Sequence, residues 1–189
     1  MNTSIVFLVI VGLVILSVIV IYNGIISRAN AAQRAWANVI TQERQKNKII
    51  PQLQTVTEQY QQFESAVQEK IAALRSALGG LDSDKMDTGK LAKVESATRN
   101  LVQGMNIAVE AYPELKANEM FTKLMREIAE QQENIGAAIR IFNQNVEAFN
   151  NGIEVFPNSM VNNLLNKKVK LNTFSDSEAE AGFDYKPNF

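Results

Sequence analysis

Seventeen residues from Ile5 to Ile21, IVFLVIVGLVILSVIVI, constrain this chain more than any other stretch. Only Gly12 and Ser17 interrupt the Ile, Val, Leu and Phe, and no charged side chain precedes Arg28. As a helix rising 1.5 Å per residue, Ile5 to Tyr22 covers roughly 27 Å, close to the hydrocarbon thickness of a bilayer. Each aliphatic residue near the centre favours insertion by about 0.3–0.6 kcal/mol, so the run contributes on the order of 5–9 kcal/mol with no charge opposing it. The reading is a membrane anchor, with Ile5, Phe7, Leu8, Leu13, Leu16 and Ile21 in hydrocarbon and Tyr22 as the aromatic residue at the interface.

A cleaved signal peptide is the competing reading. It calls for Lys or Arg ahead of the apolar run and for a run of about 7–15 residues. Met1-Asn2-Thr3-Ser4 carries no basic residue, and the one Ala-x-Ala sequence, Ala29-Asn30-Ala31, lies well past the run. With no cysteine in the chain, lipid attachment to a cysteine is closed as well. An uncleaved span is therefore expected. Arg28, Arg34, Arg44, Lys46 and Lys48 all follow it and no charge precedes it, which by the positive-inside rule places the body in the cytoplasm rather than the periplasm.

Beyond the span, composition excludes more than it assigns. The chain has no His and no Cys. That removes Ser-His-Asp and Cys-His nucleophile systems, zinc or haem held by those side chains, and the Glu-x-x-His di-iron motif. A net charge of −1 gives no general attraction to nucleic acid. No catalytic group, cofactor or metal ligand is expected. Gln, Asn, Ala, Glu and Lys dominate, β-branched clusters are rare, and the composition favours helix almost throughout.

Turn signals divide the remainder. Gly79-Gly80 with Asp82-Ser83-Asp84 marks one turn, Tyr112-Pro113 a second, and Phe156-Pro157 the end of a third tract. Between them run apolar stripes at three- and four-residue steps. The first is Leu53, Val56, Tyr60, Phe63, Val67, Leu74 and Leu78; the second is Leu91, Val94, Thr98, Leu101, Met105, Ala108 and Tyr112. The third runs Phe121, Leu124, Ile128, Gln131, Ile135, Ile139, Phe142, Val146, Phe149 and Ile153. One stripe per helix is the pattern of an antiparallel bundle, with Thr98 and Gln131 as polar interruptions that set register or lie at an edge. Thr88 and Asn118 are the candidate N-caps. Pro51 removes a backbone donor and is expected to kink or split its helix near Ile49-Ile50. The expected fold is all-α. A single N-terminal transmembrane helix continues into an elongated antiparallel helical bundle of three long helices, followed by a short C-terminal helix and tail. The domain boundaries are an anchor over 1–27, a bundle over 28–172 and an extended acidic tail over 173–189.

Three segments then resemble the LemA family. Tyr22-Asn23, Ala35-Trp36, Gln42-Glu43-Arg44 and Ile49-Ile50-Pro51-Gln52-Leu53 are similar to its YN…AW…QxxRR…LIPNLV pattern. Ala111-Tyr112-Pro113-Glu114-Leu115-Lys116-Ala117-Asn118-Glu119-Met120-Phe121 is close to its YPxLKANxxF. Glu133-Asn134-Ile135, Arg140-Ile141-Phe142-Asn143, Val146, Phe149-Asn150, Ile153, Phe156-Pro157 and the terminal Phe189 resemble ENxI…RxxYN…V…YN…I…FP…F. The chain departs from the pattern at Arg44-Gln45, at Gln52-Leu53-Gln54, and after Pro157, where it reads NSMVNNLLNKK. The resemblance implies an anchored helical bundle in the bacterial inner membrane, with no activity established for the family as a whole. Some relatives are encoded near a membrane metalloprotease, an association with envelope quality control.

Several positions invite a role. Trp36, the one tryptophan, lies about 22 Å along a helix from Ile21, too far for an interfacial belt, and reads as a packing or subunit contact. Arg44 and Pro51 belong to the first family motif. Tyr112-Pro113 reads as a helix stop before it reads as a recognition loop. Phe142 and Phe149, seven residues apart, read as core, with Asn143 and Asn150 beside them for interhelical hydrogen bonds or an assembly contact. Phe156-Pro157 ends the third tract. Lys167-Lys168-Val169-Lys170, followed by Asp176, Glu178, Glu180 and Asp184, reads as a solvated helix end with a disordered tail, or else as a lipid-headgroup site or a basic–acidic contact between neighbours. The function expected is a non-catalytic anchored scaffold that assembles with copies of itself. The alternative is an adaptor or regulator of a membrane protease or transporter. Membrane lipid is an expected partner and nucleic acid is not.

Overall fold

The structure is a computed structural model that describes residues 3–59 and 64–175. Tyr60 and Phe63 of the first stripe, the acidic tail residues Asp176, Glu178, Glu180 and Asp184, and Phe189 lie outside the described residues. The fold is all-α, with no strand among the described residues. Its elements are α1 (Thr3–Glu58), α2 (Glu64–Gly79), α3 (Thr88–Ala111), α4 (Pro113–Lys116), α5 (Glu119–Glu154) and α6 (Asn158–Val161), followed by a π-helical turn (Asn162–Asn166). By packing, the described residues of Met1–Ala35 and Phe142–Thr173 form one unit, and those of Trp36–Ile141 and Phe174–Phe189 form another.

In the second unit the apolar stripes meet in one core. Trp36, Val39, Ile40, Ile50 and Leu53 of α1, Ile71 and Leu74 of α2, Leu91, Val94, Leu101 and Met105 of α3, and Phe121, Leu124, Ile135 and Ile139 of α5 are buried. Cross-helix contacts fix the directions. Arg44 reaches the Leu81 carbonyl while Gln54 meets Arg75, so α2 runs against α1. Lys46 meets Thr98 while Trp36 meets Asp82, so α3 runs with α1. Gln131 bonds Gln42 and Gln132 bonds Glu95, while Ile128 borders the same small cavity as Ile50 and Leu101. Hence α5 runs against both. The packing is up-down-up-down, the topology that short connections favour.

Two readings of the sequence change here. The first stripe, Leu53 to Leu78, is carried by two helices folded against each other, so four helical segments rather than three pack in this unit. No Gly or Pro lies between Glu58 and Glu64 to announce the reversal. Pro51 does not split its helix: α1 is continuous from Thr3 to Glu58. Pro51 and Asn47, whose carbonyl loses its donor, both sit on the exposed side, where water replaces the missing bond. Ile49, Ile50, Leu53 and Val56 hold the other side in the core.

The caps are local. Asp87, one residue before the expected Thr88, caps α3 by accepting from Lys90 N at 3.0 Å. Asn118 caps α5 as expected, accepting from Phe121 N at 3.1 Å. Tyr112 ends α3 and Pro113 opens α4, where its missing N–H costs nothing.

Candidate functional site

The first half of α1 carries the membrane candidate. Among the described residues it is the one helix long and apolar enough to cross a bilayer, and its most apolar 18-residue window is entirely unburied. Ile5, Phe7, Leu8, Leu13 and Leu16 are exposed. Ser17 donates to the Leu13 carbonyl at 2.8 Å, so the one hydroxyl of the run is satisfied within its own helix. Ile21 is half-buried against a small core of Ile25, Phe149 and Ile153, and Ala29 and Leu171 join it. The apolar helix thus passes from a surface that needs a non-aqueous solvent to one that packs on protein, with the change at Ile21-Tyr22.

Asparagines tie this unit together. Asn150 donates to the Leu171 carbonyl and accepts from Leu171 N, each at 2.9 Å. Its partner is therefore the extended backbone after the π-helical turn, and neither bond is interhelical. Asn158 donates to the Gly152 carbonyl, and Asn162 grips Lys168 through both its amide nitrogen and its amide oxygen. Gly152 is buried under Arg28: a Cβ there would stand 2.8 Å from Arg28 Cδ.

The second unit holds a buried charged cluster. Glu43, Lys46, Glu95, Thr98 and Gln132 are essentially inaccessible. Lys46 Nζ lies 2.8 Å from Glu43 Oε2 and 3.6 Å from Glu95 Oε1, and donates to Thr98 Oγ1 at 2.9 Å. Gln132 donates to Glu95 Oε2. Two carboxyls therefore share one ammonium. Burial is the main cause that pushes the Glu43 carboxyl well above the usual range, against the attraction of Lys46. The neighbouring Glu95 carboxyl raises it further. Beyond the Lys46 ion pairs, Glu43 Oε1 and Oε2, Glu95 Oε1 and Gln132 Oε1 have no hydrogen-bond partner. One cation faces two buried acidic side chains, and the raised Glu43 carboxyl is the consequence of that imbalance in a site sealed from solvent. The adjoining cavity holds about 10 Å³, room for one water and no substrate. The cluster is sealed between helices rather than set in a cleft, and among the described residues no group of acidic side chains is placed to hold a metal.

The remaining positions named from sequence fall in both units. Trp36 is fully buried and donates to the Asp82 carbonyl at 2.9 Å; Arg44 donates to the Leu81 carbonyl at 3.2 Å. Both hold the start of the α2–α3 loop. Phe142 and Phe149 are buried, and Asn143 is half-buried beside them on α5. Tyr112 is half-buried at the α3–α4 junction and Pro113 is exposed, as is Pro51. Phe156 is 78% exposed and Pro157 is exposed next to it. Sequence reasoning missed Glu43, Lys46, Glu95 and Gln132. A signal was present: stepping back from Leu53 by threes and fours passes through Ile50, Lys46, Glu43, Val39 and Trp36, so two charged residues occupy stripe positions.

Two comparisons agree with this architecture. The LemA family profile matches residues 35–183. A protein named Protein LemA from Metamycoplasma hominis is 28% identical over 134 residues, which are 71% of this chain and 60% of the relative. The chain thus spans about 60% of the length of that curated relative. With the profile match extending over most of the sequence, the chain belongs to the LemA family.

Proposed function

We propose that this protein is a non-catalytic helical scaffold, held in the bacterial inner membrane by the first half of α1 and acting through contacts with copies of itself. The observation that carries the reading is the unburied apolar window of α1, continued by the same helix into a bundle whose interior charges, Glu43, Lys46 and Glu95, are sealed from solvent. Ile5, Phe7, Leu8, Leu13, Leu16 and Ile21 contact acyl chains, and Tyr22 sits at the interface. The bundle is cytoplasmic, with Arg28 and Arg34 on the retained side. Self-assembly is supported by an open groove of about 1120 Å³ between α2 and α3, lined by Ala73, Ser76, Ala77, Ala92, Ser96 and Ala97 together with Glu69, Lys70, Lys93, Gln103 and Ile107. Its alanines and serines leave room for a further chain, and Glu69, Lys70 and Lys93 offer that chain charged partners. Confinement to a bilayer raises the local concentration of copies for such contacts.

Mass photometry of the detergent-solubilised chain at micromolar concentration is the test. Oligomers are expected, and a strictly monomeric distribution removes the self-assembly reading. Crosslinking in native membranes through Ser96→Cys, in the groove, separates copies of this chain from a protease or transporter partner by the mass of the product.

A further inference from the structure

The run from Val155 to Asn166 contains no charged residue; it is bounded by Glu154 on one side and by Lys167, Lys168 and Lys170 on the other. It leaves α5 beside the Ile25–Phe149–Ile153 core and returns to it, where Leu171 pairs with Asn150. The mouth of this excursion is closed by Lys170 and Glu154, 2.5 Å apart. Between those ends the run lies along the apolar half of α1. A groove of about 490 Å³ has Leu13, Val14 and Ser17 on one wall and Met160, Leu164 and Leu165 on the other. Val155, Phe156, Met160, Leu164 and Leu165 are more than half exposed. In the second unit, exposed Ile107 and Met120 stand singly, as surface residues commonly do. The apolar side chains after α5 are instead contiguous with the exposed surface of the span.

We propose that Val155–Asn166 is a second membrane element, a short hairpin that dips into the same bilayer leaflet as the adjoining part of α1 and returns, with bilayer acyl chains occupying the groove. The inference rests on reading α1 as a membrane span. Part of its backbone is bonded within the segment, as hydrocarbon favours. Ser159 N donates to the Val155 carbonyl at 2.8 Å, Met160 N to the Pro157 carbonyl at 3.1 Å and Lys167 N to the Asn162 carbonyl at 2.6 Å. The amides of Asn158 and Asn162 are turned onto protein backbone. Asn163 is an exposed amide of the run, set against five large apolar side chains. A stretch of this length is too short to span and is the right size for a re-entrant segment. Depth is set at the polar end: Asn166 Nδ2 meets the Tyr22 carbonyl at 3.4 Å, level with the interfacial aromatic. Exposed Lys167, Lys168 and Lys170 follow immediately, at the height of anionic headgroups.

The chain has no native cysteine, so single thiols report cleanly. Four full-length variants, Phe156→Cys, Met160→Cys, Leu8→Cys in the span and Lys85→Cys in the exposed α2–α3 loop, are reconstituted into anionic vesicles. A charged maleimide is supplied on both faces. Hydrocarbon raises a thiol's pKa, and each unit slows thiolate labelling about tenfold, so positions 156 and 160 are expected to react at least about tenfold more slowly than position 85, and close to position 8. A fluorophore at position 160 is expected to be quenched by lipid carrying a nitroxide on its acyl chain. Labelling of 156 and 160 at the rate of 85, with 8 still protected, overturns the hairpin and leaves the span standing. Rapid labelling at position 8 removes the span and the hairpin together. Protection at 160 without quenching means that protein covers the segment, and overturns the assignment to lipid.

Discussion

Lys46 is the residue on which the interior of the bundle most depends. It is a single cation between two buried carboxyls, and removing one member of such a set leaves uncompensated charge. Lys46→Met is expected to cost about 3–5 kcal/mol in urea denaturation, and replacing Glu43 and Glu95 as well with apolar residues is expected to recover most of it. The same cluster makes stability depend on pH in a defined direction. Folding raises the Glu43 carboxyl above its ordinary 4.5, so above that pH the folded chain holds a proton the unfolded chain has lost. The contribution of Glu43 is fully present below 4.5 and declines as pH rises through the raised value. The urea midpoint is therefore expected to fall over that interval, and Glu43→Gln, which cannot ionise, is expected to flatten the slope. Individual residues were unevenly legible. Phe142 and Phe149 declare their burial through spacing. The partner of Trp36 is a loop carbonyl 46 positions away, and no local pattern encodes that.

Single helices read well from their stripes and poorly at their joins. Every apolar position named on α3 up to Ala108 and on α5 is buried, because a one-sided stripe has one way to leave water. The reversal between α1 and α2 was invisible, since the apolar phase continues through it and no Gly or Pro interrupts. Asp87 and Thr88 are both acceptable caps, and only the backbone decides between them. Pro51 is the clearest element-level test. It stands in the exposed face of a continuous helix, so Pro51→Ala is expected to add about 1–3 kcal/mol, read as a higher urea midpoint. In the other unit, Phe149→Ala empties the centre of the Ile25–Ile153 core. It is expected to cost about 3–5 kcal/mol and to speed hydrogen exchange at Leu171 N, whose acceptor is the neighbouring Asn150.

For the whole molecule, the sequence was explicit about the bilayer and silent about partners. One uncharged run states its own solvent, whereas a surface that binds a second protein differs little from one that binds water. Orientation has a direct test: in intact cells, a thiol placed at Lys85 in the exposed α2–α3 loop is expected to resist an impermeant reagent until the inner membrane is opened, as a cytoplasmic bundle requires. The buried acid also has an ensemble-level consequence. The formal charge of −1 counts all 20 carboxyls as ionised against 19 cations, so a folded chain that keeps Glu43 protonated is electrically balanced. Unfolding must then hand a proton to the buffer. Calorimetric unfolding enthalpies measured between 4.5 and the raised value should vary with the ionisation heat of the buffer chosen, with a stoichiometry approaching one.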